Sequence, residues 1–296
     1  MTTPLKVVGF VTALAVAFLG ALSVGATVGP LDVEEQPMAH ADDAGASGAV
    51  HGAAHEEDAA AHPPGGLAVS DQGYTLRVVS RPVAGVDRPL RFVVTGPDGE
   101  PVTAYDEEHE RRLHLIKVRR DGAGFEHVHP ELAPDGTWTA RLTLAPGSTR
   151  LLADFTPTGG PELVLGTDVE VAGDYEPAPA ASLTRTARVG DYRVVLEGEL
   201  EAGESSPLTA TVSRRGEPVT DLQPYLGAYG HLVALREGDL AYLHVHPEQA
   251  GAGPEIPFVA EVPSAGRYRL FLDFRHGGTV RTAAFTLHAG EAGHDH

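Results

Sequence analysis

The apolar and polar residues of this chain alternate in short segments, and this pattern predicts strands. Runs rich in Val, Leu, Thr and aromatic residues occur in the first half of the chain at 74–80, 89–95, 112–119, 124–129, 137–144, 148–156 and 163–171. Gly, Pro and Asp separate these runs at the spacing expected of a β-sandwich. No long segment with helical periodicity follows the apolar N-terminal run. We therefore expect an all-β fold.

The pattern repeats in the second half of the chain. The sequence GEPVT at 99–103 recurs at 216–220, and the segment at 150–155 is similar to the one at 269–274. A repeat unit of about a hundred residues has the size of an immunoglobulin-like domain. The sequence predicts two tandem immunoglobulin-like β-sandwich domains, at 67–173 and 188–290. A link at 174–187 joins them.

An uninterrupted apolar run lies near the N-terminus, from Val7 to Val28. A run of this length can span a bilayer, and it is longer than the hydrophobic region of most signal peptides. Lys6 precedes it and acidic residues follow. This charge pattern predicts a cytoplasmic N-terminus at 1–6, a transmembrane helix at 7–28 and an extracytoplasmic body. The alternative is a signal peptide that is cleaved, which would leave a secreted protein.

Two polar segments flank the predicted domains. Residues 29–66 contain Ala, Gly, Asp, Glu and His with few apolar residues, so we expect a disordered, acidic, histidine-bearing linker. Residues 291–296 form a short tail that also carries histidine. Either segment gathers metal ions weakly or serves only as a soluble spacer.

Charge and sulfur content limit the possible partners. The chain has 22 Lys and Arg against 41 Asp and Glu, a formal net charge of −19. This charge argues against nucleic acid as a partner and favours the attraction of cations. There is no cysteine and there are only two methionines, so thiolate sites and methionine-rich Cu(I) sites are excluded. A protein partner cannot be identified from the sequence.

The most specific chemical signal is a histidine triplet that occurs twice with the same spacing. In each copy one histidine precedes a His-x-His pair by 13 positions, and Pro-Glu follows the pair. The triplet residues are His114, His127 and His129 in the first copy, and His231, His244 and His246 in the second. Three imidazoles on one hairpin face would suit Zn²⁺ or Cu²⁺. We therefore predict all six as metal ligands.

Each triplet is expected on a β-hairpin. A two-residue turn at Glu237 and Gly238 would place His231 opposite His244 and diagonal to His246. The same strand faces carry apolar residues, however, which is the pattern of a core strand. The alternative is therefore a structural or adhesion module in which the histidines are buried and bonded to backbone carbonyls.

Other polar residues carry weaker signals. Asp154 and Asp273 occupy matching strand positions and are expected to face solvent, with a role as ligand or as acceptor for an imidazole N–H as the alternative. His109 has no counterpart in the second copy and is expected to be an ordinary loop residue. No nucleotide-binding, nucleophile-elbow or HExxH motif is present, so we expect a protein that is not an enzyme.

The apolar N-terminal run, the acidic histidine-bearing linker and the tandem β-units with HVHP hairpins together resemble uncharacterised actinobacterial membrane-anchored exported proteins. This resemblance covers nearly the whole chain, and the six triplet histidines carry its motif. More remotely, the β-units look like YtkA-like and other immunoglobulin-like exported domains, some of which accompany copper handling. The resemblance implies a membrane-anchored extracytoplasmic copper-binding protein that acts as a buffer, chaperone or sensor, with zinc as the alternative metal.

Overall fold

The computed structural model describes residues 64–243 and 245–291, and every regular element in these ranges is a strand. The all-β prediction is therefore confirmed for the described part of the chain. No helix in these residues is long and apolar enough to cross a membrane. The predicted transmembrane helix at 7–28, most of the linker and the tail after residue 291 lie outside the described residues.

Nine strands form the first sandwich within the described residues. They are β1 (Ser70–Asp71), β2 (Tyr74–Val78), β3 (Gly85–Thr95), β4 (His114–Arg119), β5 (Glu126–Val128), β6 (Glu131–Leu132), β7 (Thr137–Leu144), β8 (Gly147–Phe155) and β9 (Leu163–Val171). One sheet has the order β1-β2-β3-β7-β6 and the other β5-β4-β8-β9. This order matches the two sheets of an immunoglobulin-like sandwich, and each predicted run corresponds to one of these strands.

The second sandwich repeats this arrangement. Its described strands are β10 (Thr186–Val189), β11 (Tyr192–Glu197), β12 (Leu200–Glu201), β13 (Ser205–Arg214), β14 (Glu217–Pro218), β15 (Gly230–Arg236), β16 (Tyr242–Leu243), β17 (Val245–Pro247), β18 (Glu255–Glu261), β19 (Gly266–His276) and β20 (Thr279–Gly290). One sheet has the order β10-β11-β13-β18-β17, with β14 beside β13, and the other β12-β20-β19-β15-β16.

The two sheets of each sandwich differ in how they are buried. Buried residues alternate with more exposed ones along β7, β13 and β18, which is typical of a sheet with one face in the core and one towards water. In β4 and β15 nearly every residue is buried. The sheets that contain β4 and β15 are therefore covered on both faces, by their own partner sheet and by the other sandwich.

A separate apolar cluster lies between the sandwiches. Its buried members are Ile116, Val118, Leu152, Val233, Leu235, Leu240 and Phe271, with Phe125, Val164 and Tyr242 packed against them. The rings of Phe125 and Phe271 stack with 3.9 Å between centroids and 5° between planes. The apolar residues that share a face with the triplet histidines thus pack between the domains. They do not belong to either sandwich core.

The second hairpin has a different register from the one that the sequence predicts. Leu235 pairs with Tyr242, and Arg236 and Ala241 close a four-residue turn. The side chain of Asp239 stabilises this turn because it accepts hydrogen bonds from Arg236 and from the Ala241 amide. The predicted two-residue turn is therefore wrong, and His244, whose predicted position depends on that turn, lies outside the described residues.

Both links to the first sandwich are packed against it. Gly65 and Gly66, which the sequence assigned to the disordered linker, are held by backbone hydrogen bonds: the Gly66 amide donates to the Val164 carbonyl oxygen, and the Tyr242 amide donates to the Gly65 carbonyl oxygen. A Cβ atom at Gly166 would collide with the Gly66 carbonyl oxygen, so this close approach requires glycine. In the second link, the Tyr175 hydroxyl and the Ala178 amide donate to Asp121.

Candidate metal centre

The first histidine triplet comes together at one end of the β4–β5 hairpin. His114 begins β4, His127 lies in β5, and His129 follows the last residue of β5. Leu115 pairs with Val128, and side chains alternate across a strand, so His127 and His129 project from the same face of the hairpin. One nitrogen from each ring lies within 4.8 Å of the other two.

The distances between these nitrogens suit a shared ion. His114 Nδ1 lies 3.0 Å from His127 Nε2 and 3.2 Å from His129 Nε2. Imidazole nitrogens bound to one tetrahedral ion at about 2.0–2.1 Å are about 3.3 Å apart. The three ring centroids are separated by 5.2, 4.9 and 5.0 Å, so the rings form a nearly regular triangle.

Two of the rings are held by hydrogen bonds at their other nitrogen. His114 Nε2 donates to the Glu108 carbonyl oxygen at 3.1 Å. His127 Nδ1 donates to Asp273 Oδ2 at 3.0 Å, and both of these side chains are at most 5% exposed. Since a carbonyl and a carboxylate only accept hydrogen bonds, each contact places the ring proton on that nitrogen.

These contacts determine what the two rings present to each other. In the neutral state, His114 Nδ1 and His127 Nε2 both carry lone pairs, and they face each other at 3.0 Å. Two acceptors at this distance repel unless a proton or a metal ion lies between them. Carboxylate or backbone acceptors behind imidazole ligands are also the usual outer partners in metal sites.

Burial keeps His114 and His129 neutral. The pKa of His114 is lowered to about 3, chiefly by burial and then by the neighbouring His127. Burial followed by the charge of His127 also lowers the pKa of His129 to about 3. Neutral imidazole is the form that binds metals. The two rings are therefore in the ligand form throughout the physiological pH range.

The carboxylate that holds His127 comes from the second sandwich. Asp273 is 3% exposed and also accepts a hydrogen bond from Thr282 Oγ1 at 2.5 Å. The prediction that Asp273 faces solvent is wrong, because the first sandwich covers this face of its sheet. The alternative role as an acceptor for an imidazole N–H is the one observed.

The matching residue of the first sandwich has a different environment. Asp154 accepts a hydrogen bond from the Tyr242 hydroxyl of the second sandwich at 3.2 Å. Burial, reinforced by the charge of Glu162, raises the pKa of Asp154 to about 7. The solvent-facing prediction is therefore wrong for Asp154 as well.

The two described residues of the second triplet, His231 and His246, lie in different sheets. His231 is 8% exposed, and its Nε2 donates to the Leu226 carbonyl oxygen at 3.0 Å. Beyond Leu243 the chain leaves the edge of β15, and β17 pairs with β18 in the other sheet. His246 is exposed on β17. His244 lies outside the described residues, so its predicted role as a ligand stays a prediction.

His231 instead belongs to the surroundings of the first triplet. Its ring centroid lies 6.2 Å from that of His114, with 21° between planes, and 6.4 Å from that of His127. Burial lowers the pKa of His231 to about 4. His231 is thus neutral at physiological pH and lies next to the three converging rings.

A cavity of about 140 Å³ lies beside these rings, between the sandwiches. His114, His127 and His231 contribute to its lining, and its acidic lining residues are Glu108, Asp154 and Glu162. A space of this volume is large enough for several water molecules. The carboxylates of Glu108 and Glu162 give the cavity a negative character that favours cations.

The sequence argument missed one residue of this centre. His109 lines the cavity, and its ring centroid lies 4.9 Å from that of His231 and 6.1 Å from that of His114. The sequence treats it as an ordinary loop residue because the second copy has no histidine at the matching position. The absence of a matching histidine in the second copy was the signal in the sequence that the two sandwiches contribute unequally to the site.

The family comparison covers both sandwiches. The family DUF8832, described as a domain of unknown function, matches residues 68–176 and 187–291. No curated protein has a significant match to the chain.

Solved structures of bacterial surface proteins are similar at low identity. The Escherichia coli adhesin FdeC is 16% identical over 76% of this chain and 66% of its own, with a TM-score of 0.24. The Yersinia pseudotuberculosis adhesin InvE is 12% identical over 73% and 58%, with a TM-score of 0.22. Domains 4 and 5 of the S-layer protein SbsC are 9% identical over 76% and 100%, with a TM-score of 0.22. The chain thus spans less than two thirds of the length of either adhesin structure.

Proposed function

The chain belongs to the DUF8832 family, whose domain it contains twice, and from the histidine cluster described above we propose that it binds a divalent metal ion. The ligands are the imidazoles of His114, His127 and His129, and the metal is copper, with zinc as the alternative. The protein acts without catalysis, as an extracytoplasmic buffer, chaperone or sensor of this ion.

The observation that carries the proposal is the 3.0 Å approach of His114 Nδ1 and His127 Nε2, which repel each other when both rings are neutral. The Glu108 carbonyl and the Asp273 carboxylate hold the ring protons on the opposite nitrogens. A cation between the rings turns this repulsion into two coordinate bonds. His129 Nε2 then completes a three-nitrogen set.

The donor chemistry supports copper or zinc. Imidazole suits both ions, and nitrogen donors in general bind Cu²⁺ more tightly than Zn²⁺. The chain has no cysteine to offer a softer site. The remote resemblance to exported domains that accompany copper handling also favours copper.

The negative charge around the site favours cation entry. Glu108 and Glu162 line the cavity beside the three rings, and the whole chain carries a formal net charge of −19. Such a field raises the local concentration of cations. The histidine-bearing segments at 29–66 and 291–296 would add to this effect.

The location proposed for the site is outside the cytoplasm, on a protein anchored in the cell membrane by residues 7–28. The length of this apolar run and the acidic residues after it support an anchor with the body outside. Protease added to intact cells should then remove the body after residue 30. Recovery of a soluble form that begins near Thr27 or Asp42 would instead identify a cleaved signal peptide.

A structural or adhesion module is the second candidate, and one observation favours it. His114 and His231 are both buried and both donate to backbone carbonyls, as core histidines do. This function explains the Nε2 contacts of the two rings. It does not explain why nitrogens of three histidine rings converge at this point.

The test is a metal titration of the full-length protein followed by Cu(II) electron paramagnetic resonance. We expect one tight site with nitrogen ligands, which is lost in His127→Ala. His288→Ala is the matched control, since His288 is an exposed histidine of β20, remote from the triplet. The titration also distinguishes the triplet site from weak sites in the histidine-bearing segments at 29–66 and 291–296, because those weak sites would survive in His127→Ala. Equal binding by the parent and His127→Ala would refute the proposal.

A further inference from the structure

His231 is prepared for metal binding in the same way as His114. In both rings Nε2 donates to a backbone carbonyl, of Leu226 and Glu108 respectively. The proton is therefore held on Nε2, and the neutral ring of His231 carries its lone pair on Nδ1. Nδ1 is also the nitrogen through which His114 faces the first triplet.

The fold places His231 and the strand after Leu243 of its own copy in different sheets. In the first sandwich β5 pairs directly with β4, which keeps His127 and His129 beside His114. In the second sandwich the described residues after Leu243 pair with β18 in the opposite sheet. His246 is exposed there. His231 lies beside His114 and His127 of the first sandwich, and His246 lines the same cavity.

The distances place His231 close to the fourth position around a shared ion. A ring that binds an ion at about 2.0–2.1 Å has its centroid about 3.2 Å from the ion, so tetrahedral ligands have centroids about 5 Å apart. The first three rings meet this value. The His231 centroid lies 6.2 Å from that of His114 and 6.4 Å from that of His127, so a shift of about 1 Å would bring it to a ligand's distance from these two rings.

We infer that His231 is the fourth ligand, so that one ion is held by four imidazoles from both sandwiches. This inference rests on the proposed function and adds to it a closed coordination shell. Zinc sites with four protein ligands are structural, whereas catalytic sites keep a position open for water or substrate. A closed site of this kind holds its ion and ties the two sandwiches together, as a buffer or a sensor requires.

A well-matched variant is available for the test. In His231→Gln, the amide nitrogen of Gln lies close to the position of Nε2 and keeps the donor to the Leu226 carbonyl, while the Nδ1 lone pair is removed. His109→Ala tests the neighbouring ring, whose centroid lies 4.9 Å from that of His231. His288→Ala is the control on an exposed histidine of the same sandwich.

The experiment loads each full-length variant with Co(II), and separately measures Zn(II) affinity by competition with a chelator. We expect the parent, His288→Ala and His109→Ala to show the intense visible bands of a four-coordinate ion. His231→Gln should lose these bands and bind Zn(II) more weakly, by at least the roughly 10- to 100-fold that loss of an outer partner costs. A second measurement on the parent follows the ¹⁵N shift of His231 Nδ1 when Zn(II) is added.

The possible failures are distinct. If the parent binds no ion in a manner that depends on His127, the proposed function itself is wrong. If His127→Ala loses binding but His231→Gln keeps the affinity and the bands, only the four-ligand inference is overturned. Loss of the bands in His109→Ala with retention in His231→Gln would also overturn it. If His231→Gln does not fold, an unchanged Nδ1 shift in the zinc-loaded parent decides against the inference.

Discussion

His127 of the first sandwich donates its Nδ1 proton to Asp273 of the second sandwich at 3.0 Å. Both side chains are nearly inaccessible, with 3% and 5% of their surface exposed. The second oxygen of the carboxylate accepts from Thr282, so the acceptor is itself held in place. The orientation of one candidate ligand therefore depends on the domain that does not contain it.

Asp273→Asn should weaken metal binding without removing a ligand. The amide no longer offers an anionic acceptor at both oxygens, so His127 loses the contact that directs Nε2 towards the ion. We expect the affinity to fall roughly 10- to 100-fold, as measured by competition titration. Asp221→Asn is the matched control, because Asp221 pairs with His276 at 2.9 Å on the surface of the same sandwich. An equal loss in both variants would mean that the Asp273 contact has no specific role.

The strand pattern predicts most of the fold because turns and strand runs are local properties. The pattern cannot show that the outer face of β19 is covered by a second domain. Asp273 lies between Leu272 and Phe274, and in an isolated sandwich the opposite face of that strand would meet water. The apolar Val233 and Leu235 on that sheet are the signal that the face is covered.

The sequence predicts the first triplet correctly as a spatial group, because a His-x-His pair on a hairpin strand shares one face. The predicted turn of the second hairpin is wrong because the turn there has four residues, with Leu240 at a φ of 64°. Non-glycine residues seldom adopt this conformation, so no propensity rule indicates it. After Leu243 the chain pairs with β18 of the other sheet. This pairing depends on tertiary packing, and no local sequence pattern indicates it.

The ring protons of the first triplet are a direct test of the hydrogen-bond network. At neutral pH we expect His114 to carry its proton on Nε2 and His127 to carry its proton on Nδ1, because the Glu108 carbonyl and the Asp273 carboxylate accept there. Long-range ¹H–¹⁵N spectra distinguish the two tautomers. Addition of Zn(II) should shift His114 Nδ1 and His127 Nε2 and leave the protonated nitrogens in place. A proton on His114 Nδ1 in the metal-free protein would contradict the lone-pair argument.

The metal-free protein should lose stability in mild acid. The pKa values of His114 and His129 are lowered to about 3, and that of His231 to about 4, in each case chiefly by burial. An unfolded histidine has a pKa of about 6.5. Between pH 6.5 and about 4 the unfolded state therefore binds more protons, and the free energy of unfolding falls as the pH falls.

The size of this effect is measurable. One unit of pKa difference corresponds to about 1.4 kcal/mol, so we expect a loss of several kcal/mol across the window. Urea denaturation in the presence of a chelator, at steps from pH 8 to pH 4, measures it. His114→Gln should flatten the dependence, since it removes one of the titrating groups, whereas His288→Ala should leave it nearly unchanged. A free energy of unfolding that stays constant from pH 6.5 to pH 4 in the parent would contradict the burial of these rings as neutral groups.

The stacked pair of Phe125 and Phe271 should couple metal affinity to the contact between the sandwiches. Phe271→Ala removes a buried ring from the interdomain cluster and should cost about 3–5 kcal/mol of stability, measured by calorimetry. Phe285→Ala removes an equally buried ring from the core of the second sandwich and should cost a similar amount. Only Phe271→Ala should also loosen the interface that holds Asp273 against His127, so it alone should weaken Zn(II) binding at temperatures where both variants are folded. Equal affinities in the two variants would show that the site forms without a tight interface.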